Sequence, residues 1–245
     1  MNNSSYFTLI VAFALFAGTA AVELQGSAVT YWHVATPEGR SDVVAAMQAA
    51  HLNTLSIDAK TEDGYLGYTS SVASSANMAW STPSPLVAMT SLLHANGLFS
   101  SARISVGQDE LYANAHPSER VAGTTKWVNL CSANYQAYVI GIVREIAALQ
   151  VDVINLDFFR GPDVDDGNAQ VIVCSNGVSY RDVLPAFAAQ LASAAKEVNP
   201  SVLVSVDVFA RAAASSVDDP IGQSAAIVNG VDFISPMLYK SQFLL

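Results

Sequence analysis

The chain has 245 residues, 51% hydrophobic and only 13% charged. That length suits one barrel or one large α/β domain better than two domains, and the composition excludes a disordered polymer. The formal net charge is −10 and no basic cluster occurs anywhere, which argues against nucleic acid or an anionic membrane as partner, whereas a neutral sugar would meet no repulsion.

Residues 1–22 read apart from the rest. Phe7 to Ala21 carries no charge, and Gly18, Ala20 and Ala21 supply the small residues of a cleavage site, so the segment is expected to be a secretory signal peptide. Its start lacks Lys and Arg, so an uncleaved anchor stays open, although the apolar run is short for a span. The mature chain is then expected to be secreted or extracytoplasmic, without stable membrane association.

From there two textures alternate: short β-branched runs, and longer Ala-rich runs with helical periodicity. The first strand is expected at Ala28–Trp32, followed by a helix over Glu38–Ala50. The second strand is Asn53–Asp58, and Glu62–Tyr68 has the turn residues of a small hairpin. A helix spans Pro85–Asn96, and Gly97 stops it in the C′ position. The third strand is Leu98–Val106, with a long loop after it through His116, Pro117 and Trp127.

The helix over Ser132–Leu149 lines up Tyr135, Val139, Ile142, Val143, Ile146 and Leu149 on one stripe, as a helix covering a sheet requires. The fourth strand is Asp152–Phe159, and a Gly/Asp/Asn-rich loop runs from it to Ser179. The helix Tyr180–Val198 repeats the stripe with Val183, Leu184, Phe187, Leu191 and Ala194. The fifth strand is Ser201–Asp207, a helix falls near Ile221–Asn229, and the sixth strand is Val231–Ser235.

Strict β-then-α alternation implies parallel strands. The second, fourth and fifth read as apolar on both faces, as in a buried parallel sheet. A closed barrel and an open doubly wound sheet both remain possible, but no Gly-x-Gly-x-x-Gly turn follows the first strand, so a dinucleotide fold has no local support.

The order of motifs resembles a family of glycoside hydrolases with a TIM-type (β/α)8 barrel, distantly akin to the α-amylase and α-galactosidase barrels. The likeness rests on Thr54–Lys60 with Asp63 and Gly64, on Ala102–Ile104, on Trp127–Asn129, on Val151–Arg160, and on Val204–Phe209 with Asp232–Tyr239. It spans nearly all of residues 23–245. The chain departs from the family at Leu130 and Cys131, where a Pro is usual, and at Phe158–Pro162 after the fourth strand. A complete barrel would need two more βα units after Tyr239, so an incomplete barrel of about six units is expected.

In a parallel barrel the chemistry gathers where the strands end. Three expected strands close on aspartate: Asp58, Asp157 and Asp207. Such an Asp has poor strand propensity and is costly if buried without a partner. Phe158 and Phe159 after Asp157 can form a sugar-stacking wall, and Arg160 can favour its charged form by proximity. The resemblance implies that Asp157 is a nucleophile or general base. Asp207 on the next strand is expected beside it as the acid/base, because neighbouring strands bring two carboxylates within glycosidase range and their environments push the pKa values apart.

Asp58 with Lys60 reads as a substrate-positioning pair, and Arg103, inside a strand, needs a partner among these aspartates. Tyr239 and Lys240 are expected to contact sugar hydroxyls, and Trp127 is either a stacking platform or core. Cys131 and Cys174, the only cysteines, are expected to be bridged in an exported protein, two unrelated small residues being the alternative. Asp163, Asp165, Asp166 and Asn168 resemble a calcium loop in composition only. The four histidines show no zinc spacing, and no cofactor is implied.

The leading expectation is therefore a hydrolase of O-glycosidic bonds in a poly- or oligosaccharide. Beside it stand a catalytically silent glycan-binding barrel, and a Mg²⁺-dependent barrel enzyme using Asp58, Asp157 and Asp207.

Overall fold

The computed structural model describes residues 10–14, 22–78, 80, 83–162, 174, 177–214 and 222–238. Seven strands form one sheet in chain order: β1 (Ile10–Ala14), β2 (Val22–Val29), β3 (Thr54–Lys60), β4 (Phe99–Ser105), β5 (Val153–Asp157), β6 (Leu203–Phe209) and β7 (Phe233–Met237). From β2 to β7 every neighbouring pair is parallel. Helices separate these strands: α1 (Pro37–Ala49), α2 (Pro85–Ala95), α3 (Glu110–Ala115), α4 (Ala133–Ala148), α5 (Tyr180–Val198) and α6 (Ala210–Ala214). Six parallel strands with alternating helices make a curled half-barrel, as an incomplete TIM-like barrel would. β1 runs antiparallel to β2 and lies inside the stretch read as a signal peptide.

The helices form where the sequence signals them. Thr36 caps α1 by accepting from Gly39 N, Ser132 caps α4 by accepting from Tyr135 N, and Ser179 caps α5 by accepting from Arg181 N. The stripes of α4 and α5 are buried at Tyr135, Val139, Ile142, Val143 and Ile146 and at Leu184, Phe187, Leu191 and Ala194. Gly97 follows α2 at φ +68°, the left-handed position that glycine tolerates.

Several expectations change. The first parallel strand is Val22–Val29, not Ala28–Trp32. Tyr31 and Trp32 instead lie in a tight turn closed by His33 N to Thr30 O, Val34 N to Tyr31 O and Ala35 N to Trp32 O, so ring packing overrides their strand propensity. The Glu62–Tyr68 hairpin reduces to a single antiparallel bridge, Lys60 to Leu66. The loop after β4 contains α3, capped by Asp109. The segment before β7 is the 3-10 turn Ala225–Gly230 rather than an α-helix.

The parallel strands are not apolar on both faces. Leu55, Ile57, Ala102, Ile104, Leu156 and Val206 lie buried on the helix-covered side. Inside the curl the layers differ. Leu24, Val153 and Phe233 form an apolar floor, with Phe99 and Leu203 packed against it. Two residues further along come Ser56, Ser101, Asn155 and Ser205. They help line a small cavity of about 40 Å³, close to the room one or two waters need. Two residues beyond these lie Asp58, Arg103, Asp157 and Asp207, because side chains two apart share a face.

Candidate active site

β3 and β6 both continue two residues past their aspartates, so Asp58 and Asp207 project from within strands, while Asp157 is the last residue of β5. Arg103 of β4 stands between two of them. Its Nη1 donates to Asp58 Oδ1 at 2.7 Å, its Nε to Asp157 Oδ2 at 2.8 Å, and Nη2 lies 2.6 Å from the same oxygen. The three side chains keep 13–21% of their surface exposed, so the cluster faces an open rim.

Asp157 also accepts from the N–H of Phe158 at Oδ1, 2.6 Å. Phe158 has φ +49°, an uncommon left-handed conformation for a bulky residue. It turns the chain so that this N–H faces back onto the carboxylate. Both oxygens of Asp157 are thereby held, one by a cation and one by the backbone.

Asp207 is on the adjacent strand, one register step past the Leu156–Val206 pair, where neighbouring strands run about 4.8 Å apart. Asn155 Nδ2 donates to Asp207 Oδ1 at 2.9 Å and to Ser205 Oγ at 2.9 Å. Burial, and then the charge of Asp157, push the Asp207 carboxyl up to about 7, against the opposing Asn155 hydrogen bond and the more remote Arg103. Burial likewise raises Asp58, with Arg103 acting against it. The backbone of Asp207 is fixed by Gln223, fully buried, whose Nε2 donates to Asp207 O at 3.0 Å while its Oε1 accepts from Phe209 N at 2.8 Å. Nothing in the sequence pattern singled out Gln223 or Asn155, since both are uncharged and one lies in a loop.

Other expected site residues are placed differently. Lys60 does not join Asp58. The register of β3 shifts between Asp58 and Lys60, and Lys60 becomes fully buried, its Nζ 3.0 Å from Asp109 Oδ2 and donating to Ser105 O at 2.7 Å. A substrate cannot reach it. Phe159 is also fully buried, 5.7 Å from the Phe187 ring, so only Phe158 of the expected wall faces the site. The cation contacting Asp157 is Arg103, whereas Arg160 is buried against the rings of Trp127, Phe158 and Phe209 at 5.0, 5.5 and 4.9 Å.

Trp127, 9% exposed, is mainly a wall element, edge-on to Phe158 at 5.9 Å. Gly107 allows this packing, because a Cβ there would stand 2.4 Å from Phe158 O and 2.9 Å from the Trp127 ring. Cys131 and Cys174 are joined in a disulfide with Cα atoms 5.7 Å apart. Tyr239, Lys240 and the Asp163–Asn168 loop lie outside the described residues.

The arrangement offers a carboxylate, Asp157, fixed by the Arg103 cation and a backbone N–H, and on the next strand a second carboxyl, Asp207, pushed up to about 7. In the Mg²⁺ reading, a metal shared by Asp58 and Asp157 would compete for the space that the Arg103 guanidinium fills.

A family model described as "Putative glycosyl hydrolase domain" matches residues 26–245. Among solved structures, the chain is similar to a hypothetical protein from Ruminiclostridium thermocellum ATCC 27405, at 22% identity and TM-score 0.60, over 74% of this chain and 96% of that one. It is similar to alpha-L-fucosidase isoenzyme 2 from Paenibacillus thiaminolyticus at 18% identity and TM-score 0.52, over 70% of this chain and 30% of the fucosidase. An alpha-amylase from Anoxybacillus matches at 10% identity and TM-score 0.52, over 84% of this chain and 45% of the amylase. The chain thus spans less than half the length of either glycosidase, and at these identities the likeness is one of fold. No curated protein sequence matches.

Proposed function

The chain belongs to this glycosyl hydrolase family, and on that premise we propose that it cleaves O-glycosidic bonds of a poly- or oligosaccharide with Asp157 and Asp207. The observation that carries the proposal is the contrast between two carboxyls on neighbouring strands. Asp157 is held by Arg103 and the Phe158 N–H, while Asp207 has its pKa pushed up to about 7. Such divergent environments divide the work between a nucleophile and an acid.

In the proposed reaction Asp207 donates its proton to the glycosidic oxygen as the C1–O bond breaks. The Asp157 carboxylate attacks C1 from the other face and forms a glycosyl ester. Water then adds to C1, giving its proton back to Asp207 and releasing Asp157. Adjacent strands favour the short carboxyl separation of about 5 Å that suits retention of configuration. Arg103 keeps Asp157 oriented, and Asp58 anchors the far side of the guanidinium.

The test is release of reducing sugar from a polysaccharide panel by wild type and Asp157→Asn in parallel. Turnover by the wild type that falls at least about a thousandfold in the variant supports the reading. Equal turnover by both, or none by a folded wild type, sinks it, and the second result points to a barrel that only binds glycans.

A further inference from the structure

We infer that Trp32 is a stacking platform for a neutral pyranose unit of the substrate, a binding subsite on the β2–β3 side of the rim. The inference rests on the glycoside hydrolase reading for the substrate class and on the local geometry for the place.

Trp32 follows the C-terminal end of β2, so it lies at the same end of the sheet as Asp58, Arg103, Asp157 and Asp207. The residue is 56% exposed, an expense in apolar area that folding alone does not explain. Yet the ring is braced. Tyr31, 2% exposed, lies 5.0 Å from it, and Trp80 lies 5.3 Å away and edge-on. Tyr31 and Trp80 are themselves edge-on at 5.2 Å, and Trp80 Nε1 donates to Leu66 O at 2.9 Å. An aromatic held this way presents a flat face with little rotamer freedom left to lose on binding.

The bracing is tied to the carboxylate cluster through Gly67. A Cβ there would stand 2.8 Å from Asp58 O and 3.1 Å from Tyr31 Cβ, so the turn carrying Trp32 packs directly against the strand carrying Asp58. Asp58 and Asp63 both raise the pKa of the Tyr31 hydroxyl, after burial as the main cause, which places their charges close to the platform. The C–H face of a pyranose complements an indole face, and nearby carboxylates accept from sugar hydroxyls. Asp58 and Asp63 are paired with Arg103 and Lys126, so it is the formal net charge of −10 that disfavours uronic or sulfated sugars.

The experiment uses Asp157→Asn, which on the hydrolase reading binds without turnover, alone and combined with Trp32→Ala or Trp32→Phe. Each is run through native gels containing soluble starch, xyloglucan, galactomannan or polygalacturonate. The expected result is retardation by at least one neutral glycan, weakened about tenfold or more by Trp32→Ala and largely kept by Trp32→Phe, with polygalacturonate inert. Retardation indifferent to Trp32→Ala, retardation by polygalacturonate alone, or no retardation by any neutral glycan overturns the inference. The hydrolase reading fails separately: a wild type that is retarded through Trp32 but releases no sugar removes the catalysis and leaves the subsite.

Discussion

At the scale of single residues, the unusual group is Asp207. Its carboxyl is raised, to about 7, so the stability associated with its protonated form is complete below the ordinary carboxylate range near pH 4 and is lost as pH rises through about 7. Asp207→Asn removes that liability. The variant should therefore melt higher than wild type at pH 8, with the difference shrinking towards zero at pH 4. Thermal unfolding of both proteins across that range checks this, and a constant difference would contradict it. The same sign governs activity: as the proposed proton donor, Asp207 should make kcat/KM fall as pH rises through about 7. Arg103 was legible as a strand cation in need of a partner, because an unpaired charge there is too costly. That it serves Asp58 and Asp157 together was not, since strand neighbours are unknown until the register is.

At the scale of elements, the shift in β3 shows why Asp58 and Lys60 were read together and fold apart. Two residues apart on a regular strand share a face; the irregularity turns Lys60 to the helix side, where it ties the strand to Ser105 and to Asp109 at the cap of α3. Lys60→Met would leave Asp109 buried without its cation, costing about 3–5 kcal/mol. Adding Asp109→Asn should restore a good part of it, because the amide oxygen can still accept from Tyr112 N, as Oδ1 does now, while the amide NH2 can donate to Tyr138 Oη, which now donates to Oδ2. Urea unfolding of the single and double variants measures the coupling, and additive losses would show that the pair is not the unit. Helix stripes and the alternation of elements were readable because 3.6-residue and two-residue periods are local properties. Trp32 was not, because its rings pack against Trp80, across the whole of α1 and β3, and override a strand-like local sequence.

At the scale of the whole molecule, the Cys131–Cys174 bridge closes a segment with a sequence separation of 43 that carries β5 and Asp157. A closed loop of that length lowers the entropy of the unfolded chain by roughly 4 kcal/mol at 25 °C in the chain-entropy view. We propose that residues 1–22 direct export to a compartment where the bridge forms. Chain recovered from outside the cytoplasm should then begin near residue 23 and bind no alkylating agent until reduced. Reduction should lower the melting temperature by about 8–16 °C. An intact leader on exported chain, or free thiols in it, would count against that route.

Strand order in the sheet is the same as strand order in the chain, from β1 to β7. Each βα unit therefore docks on an edge formed by the unit made just before it, and no strand waits for a distant one. The contact order of such a sheet is set by one crossover at a time, so a chain emerging from the ribosome can lengthen its sheet as it is synthesised. Arg103 finds Asp157 once β5 is laid down, but Asp207 arrives only with β6. On the proposed assignment of roles, a nascent chain thus holds the nucleophile without the acid until synthesis passes residue 207, and catalytic competence cannot precede β6.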